Sequence, residues 1–144
     1  MLKKVRLNIP INQNYELSSG SVSKINLILE VKGKLKLNCD LKRHLSPRTV
    51  GTIIRSLPLE GNVHLFGSSI AYFETPIDSG IERTKSQFKK DDIAFLPTGG
   101  CICFFITDSE PGKKMTPIGK ISTNGDSLKD VKSGDVFLLY ADNG

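Results

Sequence analysis

From residue 25 onward, hydrophobic and polar residues alternate with a period of two. Ile25, Leu27 and Leu29 are interleaved with Asn26, Ile28 and Glu30, and after Lys32-Gly33, Leu35, Leu37 and Cys39 are interleaved with Lys34, Lys36 and Asn38. Successive strand side chains point to opposite faces, so the two runs predict a hairpin with one buried face. The period changes in LSPRTVGTIIRSLPLEG, where Val50, Ile53, Ile54 and Leu57 form a stripe at helical spacing. Ser46 suits the N-cap and Pro47 the first helical position, where a missing N–H is no loss; Pro58 ends the helix. Downstream, NVHLFGSSIAYFETP predicts two strands about Gly67-Ser68-Ser69, and DDIAFLP and CICFFIT two more about Thr98-Gly99-Gly100. TPIGKIS and DVFLLYAD add strands, IDSGIERTKSQFKK and EPGKKM read as loops, and GDSLKDVKSGD as a short helix capped by Asp126. Seven or eight short strands with two brief helices predict a β-barrel or sandwich.

Residues 1–24 stand apart from this pattern. KKVRLNIPI suits a short strand and NQNYELSSGSVSK a polar loop, so the chain divides into an N-terminal extension, 1–24, and a compact domain, 25–144. A chain of 144 residues suits one domain able to bury a core without staples. Charge is uneven: residues 1–60 carry eleven Lys/Arg against four Asp/Glu, net +7, and the remainder nine against eleven, net −2. The basic half raises nucleic acid as a partner, yet lysines on a solvated hairpin face explain it as well, and nucleic acid is not the favoured partner.

The core motifs, taken in order, carry a resemblance. A hairpin leads to a helix opening Ser-Pro-Arg-Thr-Val, then a strand pair, DDIAFLPTGGCICFFI, and PIGKISTNGDSLKDVKSGD before the last strand. This resembles the cyclophilin fold, and in particular a compact cyclophilin-like family of small archaeal and bacterial proteins of unassigned function, over about residues 25–140. The resemblance implies a mainly β fold: a closed eight-stranded antiparallel barrel with two short helices and an apolar groove on its outer face. In cyclophilins an arginine weakens the X–Pro amide resonance that makes rotation slow, which is stabilisation confined to the transition state. Carried onto Val63-His64-Leu65-Phe66, the arginine position falls on Leu65, and no glutamine follows in GSSIAYFETP. The second phenylalanine of the core strand matches Phe105, the tryptophan loop is shortened to DSEPGKKM, and the histidine position falls near Met115. The resemblance therefore implies a binding module for a peptide or small apolar ligand. A weak prolyl isomerase, with charge supplied by Arg55 or Arg83, is the alternative.

The residues expected at the groove are His64, Phe66, Ile70, Tyr72, Phe95, Phe105 and Met115, with Tyr72, Glu74, Thr98 and Lys114 at its rim. His64, between apolar neighbours, also reads as a structural histidine. Lys32, Lys34 and Lys36 repeat at strand period, with Arg43 and Arg48 nearby, as a basic patch. Cys39, Cys101 and Cys103 are odd in number; Cys101 and Cys103 would share one strand face and pack as small hydrophobes. With His44 and His64 far apart and no second Cys/His pair, no metal or cofactor is expected. Free thiols suggest a cytoplasmic setting, and no apolar run approaches the roughly 20 residues of a membrane span.

Overall fold

The structure, a computed structural model, describes residues 24–143. The expected extension over residues 1–24 lies outside the described residues except for Lys24, which is the first residue of β1. The strands are β1 (Lys24–Val31), β2 (Leu35–Lys42), β3 (Leu59–Asn62), β4 (His64–Phe66), β5 (Ile70–Glu74), β6 (Asp92–Leu96), β7 (Cys101–Phe105), β8 (Thr116–Thr123) and β9 (Val136–Ala141). Helix α1 (Pro47–Ser56) follows β2, and a 3-10 turn (Gly125–Asp130) precedes β9.

All the strand pairings are antiparallel, in the order β3-β9-β1-β2-β8-β6-β7-β5-β4. The two ends of that order, β3 and β4, are consecutive in the chain and separated only by Val63. β3 pairs with β9 and β4 with β5, so one interrupted strand closes the wall. The nine strands among the described residues are thus the eight expected, with the closing one divided. Its first half, Leu59–Asn62, follows directly on Pro58 and carries no alternation that marks a strand in the sequence. At the break, the Val63 N–H donates to the Asp135 carbonyl at 2.7 Å and its side chain is buried.

The interior is filled from alternate positions: Leu27, Leu29 and Val31 of β1, Leu37, Cys39 and Leu41 of β2, Ala71 and Phe73 of β5. Val50 and Ile53 of α1 join this core, with Ile54 and Leu57 packed against it, as the helical stripe predicted. Ser46 precedes α1, but its hydroxyl donates to the Pro117 carbonyl at 2.8 Å instead of capping the helix. Asp126 does not cap the 3-10 turn either; Asn124 holds that position, and Asp126 pairs with Lys90 at 2.9 Å. Leu128 and Val131 bring this segment into the core.

Candidate functional site

A second apolar cluster lies on the outside of the same wall. Directly opposed residues share a face of a sheet, and the pairs Phe66–Ile70, His64–Tyr72, Tyr72–Cys103 and Glu74–Cys101 align side chains of three strands, β4, β5 and β7. Ile70, Phe88, Ala94, Cys101, Cys103, Phe105 and Met115 form the buried part, with Tyr72 and Leu96 against it. Part of this cluster lines a groove of about 310 Å³ whose walls include Phe66, Ile70, Tyr72, Cys101, Cys103 and Met115. Phe66 is 51% exposed, so a large apolar ring stands open to solvent at one end. Glu74, Thr98 and Lys113 border the groove; Lys113 takes the rim place expected for Lys114.

Four of the seven expected groove residues, Phe66, Ile70, Tyr72 and Met115, therefore meet around one groove. His64 sits beside it, exposed, with its ring stacked on Tyr72 at 5.4 Å, so it is not an enclosed structural histidine. Phe95 is corrected: it points into the barrel interior with no exposure, because in β6 Ile93 and Phe95 face inward and Ala94 and Leu96 outward. Phe105 does face outward, yet it does not line the groove. Phe88 stacks on it at 4.6 Å with ring planes 18° apart, and Lys85 Nζ lies 5.0 Å from the Phe88 ring. Phe88 falls in the segment IDSGIERTKSQFKK, expected as a loop; its signal in the sequence is a single aromatic residue in a mostly polar stretch.

The segment carrying Phe88 is pinned at several points. Phe88 and Ser109 exchange backbone hydrogen bonds at 3.0 and 2.9 Å, as do Lys85 and Met115. Glu82 caps α1 from 33 residues away: its carboxylate accepts from the Thr49 amide and hydroxyl, each at 2.8 Å, and from the Arg48 amide at 3.2 Å. Burial pushes the Glu82 carboxyl up, but the bonds from Thr49 and Arg48, with the Arg48 charge, outweigh it and hold the group below its ordinary 4.5. A lowered carboxyl contributes stability that is complete above its ordinary value and lost as pH falls through the lowered one. Wild type is expected to exceed Glu82→Gln in urea midpoint from pH 8 to 6, with the gap closing below about pH 4. A gap of constant size down to pH 3 would remove the carboxylate cap from the account.

Thiol chemistry at the groove is suppressed. Burial, followed by the nearby Glu74 charge, raises Cys101, and burial with Cys101 raises Cys103. Burial and the facing thiols with Glu74 raise the Tyr72 hydroxyl too. A nucleophilic cysteine needs the reverse, an electropositive and exposed setting. Cys39 lies in the interior, pushed up to about 12 by burial and Asp40. Among the described residues, no three His, Cys, Asp or Glu side chains converge as a metal site requires.

The basic residues do not form one open patch. Lys32 pairs with Glu60 and Lys34 with Asp135, both at 2.9 Å. Lys36 and Arg43 are exposed, while Arg48, in the first turn of α1, donates to the Ile81 carbonyl at 3.2 Å. Arg83 donates to the His44 carbonyl at 2.8 Å and Arg55 to Thr52 Oγ1 at 3.3 Å; neither lines the groove. A larger depression of about 980 Å³ has Phe88 in its wall, but Lys85, Lys89, Lys120, Asp92, Asp108 and Glu110 line it. Lys120 and Asp92 lie 3.6 Å apart there, so charges of both signs border it, while Leu45, Ile93 and Pro117 join Phe88 in its apolar lining. No helix among the described residues is long and apolar enough to cross a membrane.

Comparison with known proteins follows this geometry. The family model described as cyclophilin-like matches residues 23–139. Among solved structures, the hypothetical protein AF2241 from Archaeoglobus fulgidus is similar at TM-score 0.71 and 22% identity, over 83% of this chain and 96% of that one. McbB, solved in complex with tryptophan, is similar at TM-score 0.68 and 15% identity, over 82% of this chain but 45% of McbB. The Mimivirus cyclophilin is similar at TM-score 0.55 and 10% identity, over 83% and 88% of the two chains. At such identities the likeness is one of fold. No curated protein sequence matches the chain.

Proposed function

The chain belongs to the cyclophilin-like family, and from that premise we propose that it is a binding module whose outer groove takes a small apolar or aromatic group. That group is either a side chain of a peptide or a free small molecule. The groove itself carries the proposal: about 310 Å³ with Phe66, Ile70, Tyr72 and Met115 converging and few polar groups. That volume is near the lower end, roughly 300 Å³, of ordinary ligand pockets, and apolar walls with a few polar rim groups are their usual make-up. Tyrosine and phenylalanine supply large contact area with few rotors to immobilise. McbB, of similar fold, was solved with tryptophan, which supports an aromatic occupant.

Leu65 stands where the resemblance puts the cyclophilin arginine, and no guanidinium reaches the groove from Arg55 or Arg83. Without that charge a bound prolyl amide gains no stabilisation confined to its twisted state, so binding without robust isomerisation is the reading favoured over a weak isomerase. The ion pairs of Lys32 and Lys34 likewise weaken the case for a nucleic-acid face.

The test is a titration of isotope-labelled protein with N-acetyl-tryptophanamide and with an Ala-Pro peptide, followed by NMR. Shifts are expected to centre on Tyr72, Cys103 and Met115, and Phe66→Ala to weaken binding about tenfold. Shifts centred on the charged depression at Lys85 and Asp108, or unchanged affinity in the variant, would overturn the reading. A coupled isomerase assay at micromolar protein is expected to show no rate above the spontaneous one; clear catalysis would restore the enzyme alternative.

A further inference from the structure

We propose that Phe88 decides which ligands the groove accepts. Its ring already occupies an aromatic seat on Phe105, so the protein takes one aromatic side chain of a peptide and excludes a second. This deepens the groove reading and rests on it.

Three observations carry the inference. The first is place. Phe105 lies two residues along β7 from Cys103 and directly opposite Ile70 of β5. Cys103, Ile70 and Met115 line the groove, and the same three join Phe88 and Phe105 in one buried cluster. The apolar floor therefore continues from the groove to Phe105. It is closed off there by the Phe88 ring, stacked at 4.6 Å. Phe88 is only 3% exposed, although it is the one apolar residue between Glu82 and Asp92.

The second observation is that the segment is held without the ring. Lys85 and Met115 exchange backbone bonds, as do Phe88 and Ser109. The Lys89 amide donates to Asp92 and the Lys90 amide to Asp108, each at 2.8 Å. Upstream, Glu82 accepts from the Thr49 amide and Arg83 donates to the His44 carbonyl. None of these bonds uses the Phe88 side chain. Truncating it opens the seat and leaves the backbone anchored on both sides.

The third is chemistry and spacing. The seat is bounded by the Phe105 ring and by Lys85 Nζ, which lies 5.0 Å from the centre of the Phe88 ring. An aromatic neighbour together with a cation selects an aromatic ring over an aliphatic group. Two residues along a strand are about 6.6 Å, which is also the separation of alternate side chains in an extended peptide. A peptide with rings at alternate positions can place one in the groove, and the other then meets Phe88. The ligand class of the native groove is accordingly a peptide with one aromatic side chain and a small residue two positions away.

The experiment measures dissociation constants for the full chain by NMR titration. The probes are N-acetyl-Phe-Gly-Trp-amide and its reverse, N-acetyl-Trp-Gly-Phe-amide, each against the peptide with Ala in place of Phe. Wild type is expected to bind the two members of each pair within about twofold of one another. Phe88→Ala is expected to bind one of the two-ring peptides about tenfold more tightly than its Ala counterpart, as a newly seated ring should give. Phe88→Leu, which refills part of the seat, is expected to show about a threefold preference. If Phe88→Ala does not fold, Phe88→Leu decides alone: a threefold preference supports the inference and none overturns it. Equal binding of the pairs by a folded Phe88→Ala, or a two-ring preference already present in wild type, overturns it and leaves the groove reading intact. If Phe66→Ala changes none of the affinities, the groove reading fails and this inference with it.

Discussion

Gly119→Ala is expected to lower stability by about 3 kcal/mol or more, a fall in thermal midpoint on the order of 10 °C. Gly119 lies in β8 opposite Leu41 of β2 and Ile93 of β6. A Cβ there would overlap the Asp40 carbonyl oxygen and come within 2.9 Å of Leu41 Cα. The opposing atoms are backbone, so no side chain can swing away; β2 itself would have to move in the middle of the wall. The ladder of β8 with β6 has a register irregularity beside this point, at Ile93/Ala94, and the ladder with β2 has one further along, at Asn38/Cys39. Calorimetry of the variant decides the matter, and a midpoint within 2 or 3 °C (about 1 kcal/mol) of wild type would show that the strands have room to part.

Phe104→Ala should cost about 4 kcal/mol, the usual loss for a fully buried phenylalanine and the cavity it leaves. Phe104 of β7 meets Phe137 of β9 edge to face at 5.4 Å and lies nearly parallel to Phe73 of β5 at 6.5 Å. Phe73 and Phe137 make a third contact at 5.8 Å. The trio joins β5 and β7 to β9 on the far side of the interrupted closing strand, so it ties the wall together across its closure. Urea unfolding is the appropriate measurement. A loss below about 1 kcal/mol would mean that the neighbours collapse into the space and that the trio is not the centre of the core.

How far the groove was legible follows from particular residues. Phe66, Ile70 and Tyr72 alternate on one strand pair, so their common face was readable from period two alone. Phe95 shows the limit of that method. Asp92-Ile93-Ala94-Phe95-Leu96 is apolar at four successive positions, so the alternation that distinguishes the two faces is absent. Large residues face inward and Ala94 and Leu96 outward because the interior had volume to fill. Glu82 was beyond sequence reading for another reason: its partners Arg48 and Thr49 are over 30 residues away, and nothing local marks a carboxylate as a cap for a distant helix.

The sequence by itself determined the short antiparallel strands, the turns between them and the stripe of α1. All of these are set by neighbours a few residues apart, through side-chain period and the backbone preferences of glycine and proline. Only the tertiary structure decided that Leu59–Phe66 divides at Val63 to close the wall, and that Phe88 covers Phe105. It also decided that Cys101, Cys103 and Met115 border an open groove. Those outcomes depend on which surfaces meet once the sheet curls, and burial is a property of such meetings rather than of any residue's own segment.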